Sequence, residues 1–111
     1  MANSIDEVIL VLSKAFNQIF DDFQGMYLFG TFLDSKMHPG EDIELVAIFN
    51  TEDKSKREQI WPIIGKVESD LDVCIDLYPY TPEGFKQDDC LYEEVMEEGI
   101  FYNKTGFKDP K

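Results

Sequence analysis

Two short apolar runs, separated by a glycine turn and a ten-residue gap, constrain this chain more than any other feature. The first run ends Leu28-Phe29-Gly30-Thr31, and the second opens Asp42-Ile43-Glu44-Leu45. In an extended strand, side chains two apart share one face at a spacing of about 7 Å. Asp42 and Glu44 on one strand face therefore repel by about 2 kcal/mol in a medium of intermediate dielectric. A divalent cation between them removes that cost, and an all-oxygen donor set suits magnesium or manganese. Gly30 lets the backbone approach a phosphate closely, and Thr31 adds a hydroxyl donor. The pattern predicts a metal–nucleotide site held by two strands.

At 111 residues the chain is long enough for one domain with its own core, expected over residues 1–111 with a flexible tail at 104–111. Its outlier is charge: 10 basic against 23 acidic residues give a formal −13. Such a surface repels phosphate backbones, which argues against nucleic acid as a direct ligand and for a basic protein partner. Cys74 and Cys90 lack the spacing of a zinc site or disulfide framework, and both are expected to be inert buried thiols. The N-terminus carries acids where a signal peptide needs bases. No apolar run reaches the ~18 residues of a spanning helix, so the expected location is cytoplasmic and off the membrane.

Along the chain, Ser4-Ile5-Asp6-Glu7 fits a capping box, and Ile5, Val8, Ile9, Leu12, Phe16, Ile19, Phe20 and Phe23 recur at helical spacing. A first helix is predicted over 4–23. A strand follows at 26–29, then a loop through Pro39-Gly40 and a second strand at 43–49. A helix is predicted from Thr51-Glu52-Asp53 to about Glu68, with a kink or break at Pro62. A third strand is predicted over 71–78, and a helix from Thr81-Pro82 to a stop at Gly99. Ile100 to Tyr102 forms a short last strand. The fold class is α/β (α+β), a short mixed sheet flanked by helices.

This order of elements resembles the minimal nucleotidyltransferases of the DNA polymerase β-like superfamily. Their signature is Gly followed by Ser or Thr, about ten residues, then Asp-apolar-Asp/Glu-apolar; Gly30-Thr31 and Asp42-Ile43-Glu44-Leu45 match it. Ile75-Asp76-Leu77 ahead of Thr81-Pro82-Glu83 is similar to the element carrying the family's third acid, and Glu97 to Tyr102 to its closing segment. Departures are Asp34-Ser35 where members carry a basic, flexible pair, Glu41 where Ser is frequent, and Glu44 where Asp is usual. Lys36 is the one base in that loop.

The resemblance implies that Asp42, Glu44 and Asp76 hold Mg2+ or Mn2+, that Asp76 activates the attacking hydroxyl, and that Gly30 and Thr31 bind the β- and γ-phosphates of ATP. Asp72 competes with Asp76 for the third place, since both fall on one face of the predicted strand. The implied reaction transfers AMP to a hydroxyl with loss of pyrophosphate. Family members are often antitoxins that modify a tyrosine of a HEPN-domain ribonuclease, so a HEPN-type partner or a homodimer mate is implied. The competing reading is a catalytically degenerate homologue that neutralises a basic partner by binding alone. Glu93, Glu94, Glu97 and Glu98 form either a solvated helix face or that partner's docking surface. His38 reads as an exposed loop residue, and Trp61 with Phe16, Phe20 and Phe23 as packing.

Overall fold

The computed structural model describes residues 5–30 and 42–108. Helix α1 spans Ile5–Ile19, and its apolar stripe at i, i+3, i+4 and i+7 buries Ile5, Val8, Ile9, Leu12 and Phe16. It stops four residues short of the predicted end. Asp21 and Asp22 make a turn, and Phe23 opens strand β1, Phe23–Phe29. Phe20 and Phe23 nonetheless reach the core that helical spacing assigned them. Their rings lie 5.3 and 5.5 Å from that of Phe49, which is also 5.8 Å from Phe16.

Strand β2 spans Asp42–Phe49 and pairs antiparallel with β1, with Leu28 opposite Leu45 and Phe29 opposite Glu44. Helix α2, Lys54–Leu71, is capped by Asp53, whose carboxylate accepts from the Lys56 N–H at 2.8 Å. It continues as helix through Pro62, so the predicted break is absent. Lys56 is nearly buried, and its ammonium lies 4.8 Å from the Phe49 ring centroid and is paired with Asp22. Burial alone would raise the Asp22 carboxyl. Hydrogen bonds from Lys56 and Thr51 outweigh it and hold the group below the usual carboxylate range. This knot ties the turn after α1 to the turn after β2.

The third strand also starts late. Leu71 belongs to the last turn of α2, and Asp72 caps it in the left-handed region at φ 54°, its N–H donating to the Glu68 carbonyl. Strand β3 is Cys74–Tyr80 and runs parallel to β2, as a strand–helix–strand crossover requires. The predicted single helix after it is two: α3, Pro82–Gln87, and α4, Asp89–Glu98, broken at Asp88. Thr81 caps α3, accepting from the Gly84 N–H at 3.0 Å. Strand β4, Ile100–Asn103, pairs antiparallel with β1.

Among the described residues the sheet order is β3-β2-β1-β4, mixed in direction, with helices on both faces. One face buries Ile43, Leu45, Ala47 and Phe49 against α1 and α2. The other buries Phe29, Val46 and Ile48 against Phe85 of α3 and Val95 of α4. Pro79 sits in β3 opposite Ala47, a residue type tolerated there because β3 is an edge strand. Lys104 to Lys108 turn back on β4, with a bridge from Tyr102 to Lys108. No helix among the described residues is long and apolar enough to cross a membrane.

Candidate active site

The site is built at the end of the sheet where β1 stops and β2 begins. Alternation along β2 places Asp42 and Glu44 on the face opposite the α1–α2 core. Parallel register then sets Asp76 directly across from Glu44, with Cys74 across from Asp42. Opposed residues in a sheet point to the same side, so Asp42, Glu44 and Asp76 share one face. Asp42 is exposed and Glu44 and Asp76 are half-exposed. Asp72 lies in the α2 cap and off this face, so of the two acids it is Asp76 that stands with Asp42 and Glu44.

Gly30 closes the other side. It follows the last residue of β1 with φ +80°, and a Cβ built there would overlap the Glu44 carboxylate. The position therefore requires glycine twice over, for its backbone conformation and for its contact. The expected partner of that turn, Thr31, lies outside the described residues, as do Asp34, Lys36, His38 and Glu41.

Sequence reasoning missed Tyr78, although the period of two that places Asp76 on this face also places Tyr78 there. Its hydroxyl donates to an Asp76 carboxylate oxygen at 2.8 Å, and its ring lies 6.2 Å from that of Phe29. The hydrogen bond to Asp76 pushes this phenol up to about 12; burial and then the charges of Asp76, Glu44 and Asp42 add to it. All three acids thus act electrostatically on one hydroxyl.

Oxygen donors of this kind suit a hard divalent cation. As the side chains stand, no group of three or more His, Cys, Asp or Glu among the described residues is placed to hold a metal ion. The donor chemistry of Asp42, Glu44 and Asp76 fits such an ion.

Other predicted features distribute differently. Cys74 and Cys90 are both exposed, against the expectation of buried thiols: one opens the edge strand and the other lies in the first turn of α4. Trp61 is 48% exposed on α2, whereas Phe16, Phe20 and Phe23 are core. Glu93, Glu94, Glu97 and Glu98 line the exposed side of α4. Beside them Met96, Tyr92, Phe85 and Tyr27 rim an apolar groove at the far end of the sheet face that carries the acids.

Comparison with known proteins places the fold. The nucleotidyltransferase domain family matches residues 9–102. No curated protein matches the chain. The fold is similar to a solved toxin–antitoxin complex with AMP-PNP, at a TM-score of 0.62 and 23% identity, over 87% of this chain and 71% of that one. A mutant MntA–HpeT toxin–antitoxin gives 0.60 and 24% over 86% and 70%. A tri-AMPylated Shewanella oneidensis HEPN toxin in complex with MNT antitoxin gives 0.50 and 22% over 85% and 70%. At these identities the likeness is one of fold.

Proposed function

The chain belongs to the nucleotidyltransferase domain family, and from that premise we propose that it is a magnesium-dependent enzyme moving AMP from ATP to a hydroxyl of a HEPN-type toxin, as an antitoxin. The observation that carries this reading is the register of Glu44 against Asp76, with Asp42 on the same face and Gly30 packed on the Glu44 carboxylate. The solved relatives named above include an AMP-PNP complex and an AMPylated HEPN toxin, and they support the choice of donor and partner.

Asp42, Glu44 and Asp76 would hold the metal, which when bound neutralises phosphate charge and stabilises the entering and leaving oxygens. The backbone at Gly30, with the Thr31 hydroxyl, holds the β- and γ-phosphates. Asp76 takes the proton of the acceptor hydroxyl as its oxygen attacks the α-phosphorus, and pyrophosphate leaves. The acidic side of α4 and the groove beside it offer a basic partner a complementary surface, which speeds encounter.

A second reading is favoured by Asp34 and Glu41, which add acid to the segment between Gly30 and β2, and by Glu44 where the family usually carries Asp. In it the domain neutralises its partner by binding alone. Thermal melts with and without Mg-ATP separate the two. An active site gains about 2.7 kcal/mol at a hundredfold excess of ligand over its dissociation constant. A melt that does not move, together with no transfer of α-labelled phosphate to a HEPN-type protein, removes the enzymatic reading.

A further inference from the structure

The chain has five tyrosines, and three of them donate to carboxylates. Tyr102 donates to Asp6 at 2.6 Å but is buried in the core. Tyr80 donates to Asp88 at 2.5 Å, where it fastens the junction of α3 and α4. Tyr78 differs from both. It is 36% exposed on the edge strand, its partner is Asp76, and Glu44 stands across from that partner. Its ring lies 6.2 Å from that of Phe29, at the strand end where Glu44 opposes Phe29.

We propose that Tyr78 is a site of self-nucleotidylation, its hydroxyl occupying the acceptor's place in the chain's own active site. The inference rests on the nucleotidyltransferase reading above. It follows from position: the group assigned to deprotonate an acceptor hydroxyl already accepts a hydrogen bond from one at 2.8 Å. The co-reactant is a magnesium-bound nucleoside triphosphate. The Tyr78 oxygen forms a bond to the α-phosphorus, and the bond from that phosphorus to the α–β bridging oxygen breaks. Pyrophosphate leaves with the electron pair, and the phenolic proton passes to Asp76. The product is a nucleoside monophosphate ester of Tyr78. Because the acceptor is tethered beside its own base, the step is intramolecular and gains from proximity.

The test is incubation of the full chain with Mg-ATP, intact-mass measurement, and mapping of the modified peptide, with Mg-ATP melts run on the same preparation. The expected result is close to one AMP per chain on Tyr78, at a rate independent of protein concentration. Tyr78→Phe should lose the adduct, Tyr80→Phe should keep it, and Asp76→Asn should slow it by about a hundredfold or more. No adduct, or an adduct on another residue, in a protein whose melt still rises with Mg-ATP overturns self-transfer at Tyr78 and leaves the enzymatic reading intact. No adduct and no rise overturns self-transfer and, joined by no transfer to a HEPN-type protein, the enzymatic reading as well. An adduct whose rate scales with protein concentration also overturns the intramolecular assignment.

Discussion

The two ends of β2 present the same alternation and opposite outcomes. Ile43, Leu45, Ala47 and Phe49 are fully buried from one end of the strand to the other. The alternate set changes along its length: Asp42 is exposed, Glu44 is half-exposed, and Val46 and Ile48 are buried under α3 and α4. Among the described residues, one sheet face is thus closed throughout, while the second is closed over its far half and open over the near half. The pair of short helices sets that boundary. Stability is concentrated where both faces are covered, and the three acids stand where one is left open, since carboxylates lose less hydration there.

That contrast can be broken by substitution. Phe49→Ala, in the ring of aromatic side chains formed by Phe16, Phe20 and Phe23, should cost about 3–5 kcal/mol in urea melts. A loss under 1 kcal/mol would mean that the covered region is not where the fold is anchored. At the boundary, Gly30→Ala forces a Cβ into a positive-φ position against Glu44. It should cost about 1–2 kcal/mol and weaken the melt response to Mg-ATP. In the open half, Asp42→Asn should change stability by no more than about 0.5 kcal/mol, with relief of repulsion acting in the stabilising direction. If Asp42→Asn destabilised as much as Phe49→Ala, the open half would belong to the core.

Much of this arrangement is legible in the sequence because period and punctuation agree. The alternation at 42–49 gave both faces of β2, and Thr81-Pro82 gave the start of α3. Errors arose where burial and conformation part company. Phe20 and Phe23 continue a helical rhythm, yet a turn at Asp21-Asp22 delivers them to the same core from outside the helix. Leu71 and Val73 alternate as a strand would, but Leu71 completes α2 and Asp72 adopts a left-handed cap. The helix break at Asp88 carries no glycine or proline. Tyr78 was visible by period alone; what could not be read was that its hydroxyl would turn back along the strand to Asp76.

Pro79 lies in the outermost strand, where a residue without an N–H is well accommodated. A border of this kind is a poor template for annexation by a stranger's backbone, and the carboxylate of Asp76 adds a repulsive neighbour. The flank that holds the acids is thereby guarded against fusing with other molecules into fibres or clumps. Asp42, Glu44 and Asp76 can then keep their share of solvent at the crowding a cell imposes.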